Sequence, residues 1–211
     1  MTALDRDIVI RREKPADFRE TEELVRRSFW NVYQPGCTEH YILHCFRDRS
    51  DFVPELDLVM EKDGVLIGQI MYARSSILTD DGSRIDTLTF GPVCIHPDFR
   101  RRGYGRALID RSIAMAGDLG AGALVIEGNP AYYEKSGFAP GRGRGITYAA
   151  DPNTEYLLVR ELQAGYLDGV RGTFEDPEGY LVAERNPEGF EAYDRQFPPL
   201  EKKRLPGQLL A

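Results

Sequence analysis

Val93-Cys94-Ile95-His96-Pro97-Asp98-Phe99-Arg100-Arg101-Arg102-Gly103-Tyr104-Gly105-Arg106 is the stretch on which the fold turns. It reads as an apolar strand, a turn, a basic glycine-rich loop and the start of a helix. That helix is expected over 106–119, with Leu108, Ile109, Ile113 and Ala116 near one face. The first amides of a helix have no intrahelical partner, and the macrodipole places about half a positive charge there. Glycines at 103 and 105 remove side chains that would hold a phosphate away from those amides. The order therefore predicts an anion cradle, with Arg101, Arg102 and Arg106 close at hand. Two familiar phosphate-binding patterns are excluded. The third glycine of the dinucleotide fingerprint would fall at Leu108, and the Gly-Lys-Ser/Thr of a P-loop is missing. Taken alone, the loop is equally well read as a turn with solvated arginines.

Outward from the loop, the period of the apolar residues alternates between strand and helix. Ile8-Val9-Ile10 is a short first strand. Asp17 with Glu20 fits a capping box ahead of a helix carrying Phe18, Leu24, Val25 and Phe29. After Pro35-Gly36, Thr38 is placed to cap a second helix with Tyr41, Ile42, Cys45 and Phe46 on its apolar side. Residues 56–61 and 65–73 flank Asp63-Gly64 as a β-hairpin. A long strand over 85–95 is interrupted by Gly91-Pro92, which predicts a bulge or a splayed position. Downstream follow a buried strand at 123–126, a short helix at 130–135 closed by Gly137, and a last strand at 154–162.

After Gln163 the composition shifts toward Pro, Gly and charge. Asp176-Pro177-Glu178-Gly179-Tyr180 is echoed by Asn186-Pro187-Glu188-Gly189-Phe190. Two copies are too few for a repeat architecture and read as two similar turn or helix-start signals. The expected organisation is a domain over 1–162 and a C-terminal extension over 163–211. The extension packs on the core or on a partner chain, or is partly disordered, so a homodimer stays open.

The 211 residues are 42% apolar and 29% charged, which suits a globular domain with a real core. No apolar run approaches the roughly 18 residues of a membrane span, and residues 1–12 lack the apolar centre of an export signal. The expectation is a cytoplasmic protein without a membrane partner. Three cysteines, 37, 45 and 94, make no disulfide framework and no Cys-x-x-Cys metal spacing. His40 and His44 share a helix face, but further ligands for a metal are not evident. The net charge of −7 argues against nucleic acid as a partner. It also means that an anionic ligand needs a local basic site.

Arg100-x-x-Gly103-x-Gly105 resembles the acetyl-CoA pyrophosphate signature of the GNAT superfamily of N-acetyltransferases. Val93–Pro97 precedes it as the family's fourth strand does. Tyr133-Glu134-Lys135-Ser136-Gly137-Phe138 resembles the family's second signature. The resemblance spans roughly 8–162. It implies a mixed α/β fold with a mostly antiparallel central sheet flanked by helices, here with the C-terminal appendage. It also implies an acetyl-CoA co-substrate and an amine acceptor, either a small molecule or a peptide.

By that resemblance, the main-chain amides of Arg101, Arg102, Gly103, Tyr104, Gly105 and Arg106, following Arg100, bind the pyrophosphate. The main chain of Val93, Cys94 and Ile95 carries the acetyl-pantetheine arm like an added strand. One N–H of that strand polarises the thioester carbonyl. Tyr133 assists the leaving thiolate, and Asn129 contacts the cofactor, although it sits closer to the tyrosine than in many relatives. Direct attack leaves Cys94 no nucleophilic role, and it is read as a buried strand residue. Glu127 and Asp86 are candidate bases, and neither is assigned. The competing reading on the same fold is an acyl-CoA sensor or partner-binding module without turnover.

Overall fold

The computed structural model describes residues 8–208. Residues 1–7, on which the reading against an export signal partly rests, lie outside that range. Among the described residues, no helix is long and apolar enough to cross a membrane. The elements run β1 (Ile8–Arg12), α1 (Phe18–Phe29), α2 (Glu39–Phe46), β2 (Leu58–Lys62), β3 (Val65–Thr79), β4 (Arg84–Ile95), α3 (Tyr104–Asp118), β5 (Ala123–Glu127), α4 (Pro130–Tyr133), β6 (Ala139–Pro140), β7 (Ile146–Tyr148), β8 (Leu157–Glu161), β9 (Gly172–Phe174), α5 (Val182–Arg185) and α6 (Pro187–Asp194). The sheet order is β1-β2-β3-β4-β5-β8-β6, with β9 pairing β3 and β7. Apart from the parallel pairs β4–β5 and β7–β9, the pairings described below are antiparallel.

The chain divides into two compact units. The first holds residues 8–71, 91–108 and 178–208. Here β1 pairs β2 with Ile10 opposite Met60, and β2 pairs β3 with Val59 opposite Gln69. The β2–β3 hairpin expected around Asp63-Gly64 is present, with a register shift at Met60/Glu61. Helix α1 buries Leu24, Val25 and Ser28 along one stripe, as its helical period requires.

The helix starts differ in detail from expectation. The Asp17 carboxylate accepts the Lys14 N–H at 2.8 Å and pairs with Arg11 at 2.6 Å, so it caps the preceding 3-10 turn rather than α1. Thr38 makes no side-chain cap for α2; instead its N–H donates to the Glu39 carboxylate at 2.9 Å.

The extension supplies α5 and α6 to this unit. Tyr193 and Phe197 join Tyr41 and Ala183 in a buried cluster, with Phe190 against it. The echoed motif marks helix starts in both copies. Glu178 opens a 3-10 turn, and the Asn186 side chain caps α6 by accepting the Gly189 N–H at 3.0 Å.

The second unit holds residues 72–90 and 109–177. Here β4 pairs β5 in parallel at Leu88↔Leu124, and β5 pairs β8 antiparallel with Val125 opposite Val159. Its core gathers Ile77, Val125, Ile146, Val159, Leu167 and Phe174. Strands β6, β7 and β9 have only two or three residues each, below the length at which an alternating pattern shows in sequence.

Candidate active site

The arginine loop is built from the end of β4. The His96 N–H donates to Ile67 O at 2.8 Å, completing the strand ladder. Pro97–Phe99 then turns as a 3-10 segment whose Asp98 N–H is taken by His96 Nδ1 at 3.3 Å. Arg100 is committed structurally. Its guanidinium donates to Ile95 O at 3.1 Å and to Ser28 O at 2.5 Å, tying the strand end to the last turn of α1.

Beyond it the backbone turns left-handed at Arg101 (φ 61°) and at Gly103 (φ 88°), where a β-carbon would meet nothing within 4 Å. Helix α3 starts at Tyr104, and its ladder begins with Ala107 N–H donating to Gly103 O at 3.0 Å. The amides of 103–106 therefore precede the ladder, and the backbone is open at Gly103. Successive amides in such a turn form an anion-binding concavity. Arg101, Arg102 and Arg106 are exposed around it, and the Arg102 guanidinium lies 5.6 Å from the Phe99 ring centre. Tyr104 is buried and anchors the helix start.

On β4 itself, Val93 is half-buried, and Cys94 and Ile95 are buried. Burial pushes the Cys94 thiol up to about 12, which outweighs its hydrogen bond with Ser28. A thiol in that state is protonated and is no nucleophile.

Within the second unit, Tyr133 ends α4 and is half-buried. Its ring sits edge-on to Phe138 at 5.8 Å and tilts against Phe90 at 5.9 Å. The Asn129 side chain caps α4 by accepting the Ala131 N–H at 3.0 Å. Its carboxamide oxygen thus has a structural task, which explains an asparagine here. One residue that sequence reasoning missed is Gly128. A β-carbon there would stand 2.4 Å from Tyr133 Cε2, so the ring lies directly over the backbone. A glycine between a strand end and a helix cap was the available signal.

The two candidate bases differ. Glu127 ends β5 at an exposed position, and its carboxyl is held above the ordinary range, first by partial desolvation and then by the charges of Asp176 and Asp151. The Asp176 carboxyl is also pushed up by burial, against the pull of the Tyr148 hydroxyl that donates to it. Asp86 is exposed, and its main-chain oxygen accepts the Tyr166 hydroxyl at 2.8 Å.

Of the two helix histidines, His40 is a packing residue. His40 is buried, with Nδ1 3.6 Å from Cys37 Sγ and Nε2 3.1 Å from Asp194 Oδ1. The geometry imitates a Cys-His-Asp relay, but the electrostatics oppose one. Burial holds His40 below its ordinary value, and burial followed by the Glu39 charge drives the Cys37 thiol up. Both groups are therefore neutral near pH 7. His44 turns to Glu22 instead, at 3.1 Å.

A model of the acetyltransferase (GNAT) domain matches residues 54–140. YhbS of Escherichia coli (strain K12), an uncharacterized N-acetyltransferase, is 25% identical over 174 residues, which is 82% of this chain and 98% of the relative. The crystal structure of E. coli YhbS in complex with CoA matches with a TM-score of 0.72 at 25% identity, covering 85% of this chain and 95% of that one. A GNAT family acetyltransferase from Brucella melitensis, solved with acetyl-CoA, shares the fold with a TM-score of 0.66 at 23% identity, over 83% and 99% of the two chains. With the loop and strand order described above, these matches place an acetyltransferase (GNAT) domain at residues 54–140 and make the chain similar to GNAT N-acetyltransferases over most of its length.

Proposed function

We propose that the protein transfers an acetyl group from acetyl-CoA to a primary amine by direct attack. The observation that carries this reading is the left-handed pair Arg101 and Gly103 immediately ahead of α3. That geometry offers amides to a pyrophosphate on a chain whose net charge is −7. The similar E. coli and Brucella proteins were solved with CoA and acetyl-CoA, which supports the same co-substrate here.

In this reading the amides of 101–106 hold the pyrophosphate, and Arg101, Arg102 and Arg106 add local positive charge. Arg100 fixes the loop to the strand end. The main chain of Val93, Cys94 and Ile95 carries the pantetheine arm and polarises the thioester carbonyl. The amine nitrogen forms a bond to the acetyl carbon as the carbon–sulfur bond breaks. The electron pair leaves on sulfur, and the Tyr133 hydroxyl donates to it. A free thiol near 8.5 and a tyrosine near 10 make full transfer from an unperturbed tyrosine slightly uphill, so hydrogen bonding carries part of that role. The arriving ammonium must first lose a proton. Of the two candidate bases, Glu127 is the better suited, because desolvation and its acidic neighbours raise its affinity for a proton.

Thermal unfolding with acetyl-CoA tests the proposal. A ligand at 100 times its dissociation constant stabilises the folded state by about 2.7 kcal/mol. For a chain of this length that corresponds to a rise in Tm of roughly 5–10 °C. An unchanged Tm with millimolar acetyl-CoA, and no binding by calorimetry, overturns it.

A further inference from the structure

The C-terminal extension reaches into β4 through the side chain of Tyr180. Residues 178–208 and 91–108 belong to the same compact unit. Within it the Tyr180 hydroxyl donates to Gly91 O at 3.0 Å. The phenol ring is held by its surroundings. It stands edge-on to the Phe46 ring with 4.9 Å between centres, and Phe46 is fully buried in α2. The preceding residue is Gly179, where a β-carbon would stand 2.3 Å from Phe46 Cζ, so the turn lies directly on that ring. The echoed motif supplies an internal comparison. In its second copy the matching residue is Phe190, whose ring packs near His40 and Tyr41 at 5.9 and 5.8 Å. A plain ring at this place in the motif is enough for packing, so the hydroxyl of Tyr180 has a further task.

That task follows from the peptide unit it binds. Pro92 has no N–H, and the carbonyl of Gly91 is engaged by Tyr180. The 91–92 peptide therefore presents no donor to a strand alongside, and its acceptor is bound to a side chain. Without that partner the carbonyl would have to find another. At Ile95 the main chain is anchored again. Ile95 O accepts from Ser28 Oγ at 3.5 Å and from the Arg100 guanidinium at 3.1 Å, and the next residue, His96, donates its N–H to Ile67 O. Val93, Cys94 and Ile95, to which the acetyl-pantetheine arm is assigned above, thus run between a point fixed by the extension and a point fixed by α1. Helix α1 is itself tied to the extension, because Arg26 pairs with Asp194 at 2.7 Å and donates to Pro198 O at 3.0 Å.

We infer that Tyr180 is a positioning residue for acetyl transfer: its hydroxyl holds the Gly91 carbonyl and so keeps the main chain of Val93, Cys94 and Ile95 aligned to receive the acetyl-pantetheine arm. The C-terminal extension is then a working part of the cofactor site. The inference rests on the reading of the chain as an acetyl-CoA-dependent N-acetyltransferase. Tyr180 acts through the strand. A main chain that is already ordered binds the arm without the cost of ordering it at that moment. Loss of the hydroxyl leaves the amides of 101–106 untouched, so its effect falls on the arm and not on the nucleotide.

The test compares wild type and Tyr180→Phe by calorimetry with two ligands: acetyl-CoA, and the phosphoadenosine diphosphate fragment of CoA, which lacks the pantetheine arm. The variant keeps its ring on Phe46, and Phe190 shows that the motif accepts phenylalanine at this place. The expected result is that Tyr180→Phe weakens acetyl-CoA binding about 3- to 10-fold, the loss of one neutral hydrogen bond. Affinity for the fragment stays within about twofold, and Tm drops by no more than about 4 °C. Tyr180→Leu, which loses the ring as well, should show the same split between the two ligands with a larger drop in Tm. Equal affinity of wild type and Tyr180→Phe for acetyl-CoA overturns the inference, even where Tm has dropped. So does an equal loss for both ligands, which marks general damage to the fold. A wild type that binds neither ligand removes the proposed function itself, which is a distinguishable result.

Discussion

A β-carbon at position 128 would press on the Tyr133 ring from 2.4 Å, and the ring has Phe90 and Phe138 on its other sides. Gly128→Ala must therefore move the hydroxyl, whereas Tyr133→Phe removes it in place. Both are expected to lower kcat, and misplacement of about 1 Å is enough for roughly 100-fold. Tyr133→Phe should leave acetyl-CoA affinity nearly intact, because the pyrophosphate contacts assigned to the loop are untouched. Steady-state kinetics with calorimetric binding of acetyl-CoA checks both variants. Unchanged turnover in Tyr133→Phe removes the hydroxyl from the mechanism. Unchanged turnover in Gly128→Ala shows that the ring has room to settle elsewhere.

At the scale of elements, Asn31 joins Arg26 and Trp30 in holding the segment 198–208 to the end of α1 and the turn after it. Asn31 Nδ2 donates to Glu201 O at 2.9 Å, and its Oδ1 accepts from Gly36 N at 2.8 Å and Lys203 N at 2.9 Å. Gln208 Nε2 returns to Asn31 O at 3.0 Å. The backbone of Asn31 is left-handed, a conformation that asparagine tolerates better than alanine. Asn31→Ala is expected to cost about 2 kcal/mol, from exposed hydrogen bonds and a strained φ. Cleavage by trypsin at Lys202, Lys203 and Arg204 should become faster. A proteolysis pattern like that of the wild type shows that the segment is held by other contacts.

The same elements show what the sequence made readable. Helices α1, α2 and α3, the β2–β3 hairpin and β5 stand out because each carries a periodic apolar face long enough to recognise. The arginine loop stands out because Arg101 and Gly103 sit between a strand and a helix. The task of the Arg100 guanidinium does not, since its acceptors are main-chain oxygens at 28 and 95, one of them 72 positions away. The short strands β6, β7 and β9 owe their state to pairing rather than to their own pattern.

For the molecule as a whole, buried charge in the first unit sets the pH response. Arg47 binds Glu13 and Glu22, and Asp57 lies beside this group with its carboxylate 3.4 Å from Gln69 Nε2. Burial, then the hydrogen bond and charge of Glu13, hold the Asp57 carboxyl well above its ordinary value. A carboxyl raised on folding contributes stability that is complete below its unfolded value of about 4 and is lost as pH rises toward the folded value. Asp57→Asn removes that loss. Its stability relative to wild type should therefore grow from about pH 5 to about pH 8, by no more than about 1.4 kcal/mol per pH unit. Urea unfolding across that range measures the difference. A gap that does not change with pH means that Asp57 does not hold its proton.

Trp30 is the chain's sole tryptophan, and its indole N–H donates to Glu201 O at 2.9 Å while the Arg26 guanidinium lies 4.2 Å from its ring. Every photon of indole emission from this protein thus comes from one residue clamped between a cation and the C-terminal segment. Release of that segment would shift the emission to the red, so the chain carries its own optical gauge of whether the segment around Glu201 is seated.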